Sequence, residues 1–71
     1  MINHLNYAVV GRWVNYDKGD GVVKKGRIKM YSNVTNVAYV VFEAPDLEND
    51  GHVWKSYPSE MIDYQYLTFV E

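Results

Sequence analysis

The sequence predicts an all-β protein: a small five-stranded antiparallel sheet bent into a barrel, with one short 3₁₀ or helical turn before the last strand. Three observations carry that reading. Short runs rich in Val, Ile and Tyr are separated by clusters of Gly, Asn and Asp, the pattern of successive strands and turns. No segment keeps a helical apolar period, so no helix longer than about two turns is expected. In a chain of 71 residues, closing the sheet is the arrangement that removes its exposed edges.

The first run, residues 7–16, puts Val10, Val14 and Tyr16 on one face and Tyr7, Val9 and Trp13 on the other. Asp17-Lys18-Gly19-Asp20-Gly21 then supplies turn chemistry, because glycine accepts the positive φ of a tight loop. The second run, 22–31, alternates more clearly. Val22, Ile28 and Met30 share a face with Gly26, and Lys25, Arg27, Lys29 and Tyr31 share the other. A glycine inside a strand marks a bulge or sharp bend, so the sheet is expected to turn a corner at Gly26.

Residues 33–36 read as the next turn. Residues 37–42 are apolar on both faces and should form a central strand covered from both sides. Residues 43–50 read as an acidic loop containing Pro45, and Asn49-Asp50-Gly51 is a strong turn signal. Residues 53–57 are expected as the fourth strand and 58–62 as the single helical turn, with Met61 or Ile62 pointing inward. Residues 64–70 close the sheet. The length allows a single domain over residues 1–71.

Seven tyrosines and two tryptophans stand in a chain with no cysteine. A domain this small buries only roughly 60% of its unfolded surface, so large rings must supply stability that disulfides do not. The rings also exceed the needs of so small a core, and tyrosine with its wet hydroxyl suits surfaces that meet a partner. Lack of cysteine excludes disulfides and thiolate metal sites, and it fits a cytoplasmic setting. Residues 1–10 lack the basic start, apolar stretch and cleavage site of a secretory leader. The longest apolar run, residues 37–42, falls far short of a bilayer span, so no membrane partner is expected.

The net charge of −2 conceals a polarised chain. Residues 1–35 hold six basic and two acidic side chains, whereas residues 36–71 hold one basic and seven acidic. Such a chain presents either a basic and an acidic face, or two halves that interleave in one sheet and attract each other.

Catalysis has little to stand on. Ser32, Ser56 and Ser59 lie in no strand-to-helix elbow, and only His4 and His52 could act as bases. The protein is therefore read as non-enzymatic, without cofactor or metal. Asp46-Leu47-Glu48-Asn49-Asp50-Gly51 imitates the first half of a calcium loop, but its twelfth position is Tyr57, which cannot chelate. Gly19, Gly21 and Gly26 precede a strand, whereas a phosphate cradle of that kind opens a helix.

The basic stripe is the best functional candidate. Lys25, Arg27 and Lys29 at alternate positions project cations about 6.6 Å apart, with Tyr31 continuing the row. Cations beside an aromatic suit a nucleic-acid backbone with a stacked base, and they also serve to keep a strand edge soluble. Trp13 with Tyr16, and Trp54 with Tyr57, form two pairs spaced by three. On strands, each pair should send one ring inward and one outward.

The order Val22-Val23, Gly26-Arg27-Ile28, Ala38-Tyr39-Val40-Val41-Phe42 and a short turn before the last strand resembles SH3-like barrels of the KOW and Tudor type. In that group a Gly-x-Ile/Val strand is followed by a Val-x-Phe strand, and a one-turn 3₁₀ helix precedes the closing strand. The resemblance spans about residues 20–70; the run 7–16 and the long acidic loop depart from it, and no aromatic cage is carried over. In its length, its Tyr and Asn content and its lack of Cys, the chain is also similar to accessory proteins of large double-stranded DNA bacteriophages. Such proteins commonly bind and inhibit or modify a host factor, here in the host cytoplasm.

The expectation is thus a small inhibitor-like module that docks on a larger host protein through exposed aromatic and charged residues. Its candidate binding residues are Lys25, Arg27, Lys29, Tyr31, Trp54 and Tyr57. The alternatives are a KOW-like nucleic-acid module that uses the basic strand face, and a structural homo-oligomer subunit. Charge reversal at Arg27 is expected to weaken binding at low salt without lowering thermal stability.

Overall fold

The computed structural model describes residues 2–49 and 51–70. Asp50, used by the calcium-loop and turn readings, lies outside the described residues, as do Met1 and Glu71. Five strands form one antiparallel sheet: β1 (Trp13–Asp17), β2 (Val23–Ser32), β3 (Val37–Val41), β4 (Glu60–Asp63) and β5 (Leu67–Phe69). Their order in space is β4-β3-β2-β1-β5, so the chain meanders through four strands and its last strand returns beside the first. Three single 3₁₀ turns, Tyr7–Val9, Val53–Ser56 and Tyr64–Tyr66, are the helical structure of the described residues. None of these is long and apolar enough to cross a membrane.

The all-β class and the strand count hold, but the sheet is not closed into a barrel. β4 and β5 occupy its two ends without pairing to each other. They are four and three residues long and are joined through the Tyr64–Tyr66 turn, which leaves no hairpin between them. The bend that curls the sheet lies in β2. Its first half pairs with β1 and its second half with β3, and Arg27 pairs with Trp13 on one side and Val41 on the other.

Gly26 is where the curl brings layers together. A Cβ there would sit 2.6 Å from Val40 Cγ1 and 2.8 Å from Phe42 Cδ1, so only glycine permits this approach. The register slips three residues later: Ile28 pairs with Val40 but Met30 with Tyr39, leaving Lys29 as the extra residue. That slip corrects the expected stripe. Tyr31 pairs with Ala38 and packs on the core side, while Met30 is turned out to solvent.

Local chemistry explains the other departures from the expected elements. Residues 7–9 form a 3₁₀ turn because the Asn6 side chain accepts from the Ala8 N–H at 2.9 Å, and Gly11 at φ +92° breaks the run. Residues 53–57 are not the fourth strand. Asp46 Oδ2 accepts from the Val53 N–H at 2.8 Å and starts a 3₁₀ turn there instead. The single helical turn expected over residues 58–62 is replaced by β4 at Glu60–Asp63, with Ile62 buried and Met61 exposed. The 3₁₀ turn before the last strand exists at Tyr64–Tyr66, opened by the Asp63 carboxylate accepting from Gln65 N–H at 3.1 Å.

The sheet has two apolar clusters, one on each face. On the inner face Val14, Ile28, Val40, Ile62 and Leu67 are covered by Leu5 and Val9 of the N-terminal segment. The Asn33 side chain pins that segment: it donates to Leu5 O at 2.7 Å and accepts from Leu5 N–H at 2.9 Å. The same Asn33 oxygen accepts from the Tyr64 hydroxyl at 2.7 Å. Burial, with Tyr31 nearby, holds the Tyr64 phenol above its ordinary pKa. On the outer face Val41, Leu47 and Trp54 form the second cluster. β3 is therefore covered on both faces at Val40 and Val41, whereas Val37 and Tyr39 on its outer face are only half-buried.

Candidate functional site

The outer face of the sheet divides into a covered half and an open half. Over the covered half lie residues 42–49 and 51–57, anchored by Trp54, which is 1% exposed. Arg27 rises from β2 between the two tryptophans, its guanidinium carbon 4.6 Å from the Trp54 ring centre and 5.7 Å from that of Trp13. Its Nε donates to Gly11 O at 2.8 Å, and its Nη1 donates to Leu47 O at 3.0 Å and Asn49 O at 3.1 Å. One side chain thus ties the β1 approach, β2 and the covering segment together. Carbonyl dipoles and ring faces satisfy the charge.

This geometry separates the six residues that the sequence pointed to. Lys25 is exposed on β2 and Lys29 is half-buried at the bulge. Arg27 is engaged within the fold, Tyr31 packs on the inner core, and Trp54 is buried. Tyr57 lies half-buried against the second cluster. Trp13 and Tyr16 do split between the two faces, but Trp54 and Tyr57 both join the outer cluster. The reason is the 3₁₀ turn, in which residues three apart share a side. These contacts make the Arg27 guanidinium part of the fold, so its reversal is expected to lower stability rather than spare it.

On the open half, Met30, Tyr39 and Met61 lie in one cross-strand row over β2, β3 and β4. Met30 is 49% exposed, Met61 65%, and Tyr39 half-buried between them. The sequence reading missed this row. Without the slip at Lys29, Met30 would point to the core, and without β4 there is no strand to carry Met61. The signal available was the alternation of Tyr39 with Val41 on one face of β3.

A second feature lies beside the start of β4. A groove of about 780 Å³ runs between Lys24 of β2, Glu60 of β4 and the floor formed by Phe42, Ala44, Pro45 and Tyr57. Lys24 Nζ sits 4.6 Å from the centre of the Phe42 ring and 4.0 Å from Glu60 Oε2. Tyr16 packs at 5.9 Å against Phe42, and Tyr66 at 6.4 Å against Tyr16, extending the aromatic wall.

The acidic loop is built as a pin. Asp46 holds Val53, and a Cβ on Gly51 would collide with the Asp46 carboxylate, which explains the glycine. Among the described residues no three His, Cys, Asp or Glu side chains converge in a way that could hold a metal ion. His52 is exposed at the start of the Val53–Ser56 turn, and His4 is exposed with its Nε2 3.4 Å from Asn33 Nδ2.

The fold and these surfaces define a small all-β protein whose outer sheet face is covered over one half and open over the other, with a groove beside β4. No protein-family model matches the chain, and no curated protein and no solved structure matches it.

Proposed function

We propose that this chain is a non-catalytic protein-docking module and that the row Met30–Tyr39–Met61 is its principal contact surface. The observation that carries the proposal is the contrast on a single sheet face: one half is sealed by its own chain, the other left apolar and open. Methionine is unbranched and polarizable and adapts to a partner's shape, and tyrosine brings large area at low entropic cost. Lys29 at the adjoining bulge and Asp63, paired with Val37 two rungs away on the same face, supply charge at the border for steering.

The strand order, with β5 beside β1 and a 3₁₀ turn before β5, supports an SH3-like description of the fold. A phage-type accessory or inhibitor protein acting on a larger host protein is the role that fits a module of this size and aromatic content. The nucleic-acid reading is left with Lys25 and Lys29 of its original stripe, because Arg27 spends its donors on backbone carbonyls.

The test is affinity capture from host lysate by the wild type and by a Met30→Lys/Met61→Lys double variant of equal thermal stability. The proposal expects a partner retained by the wild type and lost by the variant. Retention by both would remove this face from consideration. A wild-type dimer that the variant dissolves would assign the face to self-association instead.

A further inference from the structure

We infer that the groove beside β4 is a second docking site, that its occupant is an extended cationic peptide segment, and that Lys24 holds the cation seat in the free protein. The inference is independent of the open sheet face.

Three observations lead to it. The first is charge. Glu43 and Glu60 line the groove, and Glu48 lines the depression of about 380 Å³ that continues it past Phe42 and Pro45. Lys24 is paired with Glu60, but Glu43 and Glu48 form no ion pair with the described residues. Carboxylates around an apolar floor suit a ligand that brings cations and apolar side chains together.

The second observation is the seat itself. The Lys24 ammonium lies over the Phe42 ring with a carboxylate beside it. Ring and carboxylate together are what a cation from a partner would need. Lys24 remains 49% exposed there, so it occupies the seat without being locked into it.

The third is the free edge. β4 pairs with β3 on one side and ends the sheet on the other. Glu60, Met61 and Ile62 face a gap of about 590 Å³ across from Tyr16, Val22, Lys24 and the ion pair of Lys18 with Asp20. An unpaired strand edge beside a groove accepts an extended chain by main-chain pairing, with alternate side chains reaching the floor. A second copy of this chain is a poor occupant. Pairing β4 antiparallel with itself about its centre sets Glu60 against Asp63, two like charges directly opposed.

The experiment is an NMR titration of the isotope-labelled full chain with the capped peptide Lys-Leu-Lys-Leu-Lys-Leu and its glutamate counterpart. Saturable shifts are expected at Lys24, Phe42, Ala44 and Glu60 with the lysine peptide and not with the glutamate one. Glu43→Gln/Glu60→Gln should weaken binding about ten-fold. Lys24→Met, which vacates the seat, should tighten it several-fold. Unchanged resonances of Leu5, Asn33 and Tyr64 report that each variant keeps its fold. Absence of saturable shifts, equal binding of the glutamate peptide, shifts confined to other faces, or weaker binding by Lys24→Met would each overturn the inference.

Discussion

Arg27 and Met30 stand three residues apart on β2 and both project from the outer face of the sheet, yet they sit in opposite environments. Arg27 lies between two tryptophan rings and donates to three carbonyls, two of which, Leu47 O and Asn49 O, fasten the covering segment to the sheet. Met30 lies in a row with Tyr39 and Met61 that nothing in the described chain covers. The inner face alone gives a domain of this size a thin core. The added cluster of Val41, Leu47 and Trp54 therefore contributes stability, and the uncovered row does not. One face of one sheet has been divided between holding the fold and meeting something else.

The largest test of that division is Trp54→Ala. Emptying this buried position should cost about 3–5 kcal/mol. Total stability here is expected to be on the order of 5 kcal/mol, so the variant would keep no more than about 2 kcal/mol and up to about half of its molecules would be unfolded at ordinary temperature. Survival of a cooperative thermal transition close to the wild type would show that the outer cluster does not hold the fold.

Gly26→Ala comes next, because the added methyl group must displace Val40, Phe42 and the Val41 carbonyl. A loss of about 1–3 kcal/mol in urea unfolding is expected, from overpacking at the one point where the curl closes on itself. An unchanged midpoint would mean that the layers can part there without cost.

The smaller effects come from the inner face and sharpen the contrast with the open row. Asn33→Ala leaves the Leu5 backbone groups and the Tyr64 hydroxyl without partners and should cost about 1–3 kcal/mol. Tyr64 adds a pH dependence. Its folded phenol keeps the proton more firmly than the unfolded one, so its contribution is fully present below about pH 10. That contribution is lost as pH rises through the raised folded value. Alkaline melts should therefore show a steeper decline for the wild type than for Tyr64→Phe. At the small end, Lys25→Glu on exposed β2 should move stability by no more than about 0.5 kcal/mol.

Much of the fold was legible in the sequence. The apolar run at residues 37–42 marks an interior strand, β3, covered on both faces at Val40 and Val41, and Gly26 marks the close approach of β2 to Val40 and Phe42, while the bulge lies three residues later at Lys29. The Asn33–Asn36 turn was legible because asparagine tolerates the left-handed backbone that Asn36 adopts at φ 56°. What the alternation could not reveal was the extra residue at Lys29, which inverts every side chain after it and moves Tyr31 inward and Met30 outward. The exchange of strand and turn over residues 53–63 had a cue that went unused. Asp63 two residues before Gln65 is a cap, whereas Asp46 reaching Val53 is a long-range contact with no local trace. Candidate site residues fared worse for the same reason. A tryptophan or arginine in a short chain reads equally as an anchor for a partner or for its own loop, and Trp54 and Arg27 anchor the loop.

Paired thermal melts of Arg27→Gln and Met30→Lys/Met61→Lys test the division of the outer face most directly. Loss of charge-assisted bonds at Arg27 should cost about 2 kcal/mol. For a domain of this size that lowers the Tm by roughly 10 °C. The double methionine variant should melt within about 5 °C of the wild type, since exposed substitutions seldom exceed about 0.5 kcal/mol each. The reverse pattern, with Arg27→Gln unchanged and the methionine variant strongly destabilised, would contradict the account: the open row would then be the structural half, and the guanidinium would be free for a partner.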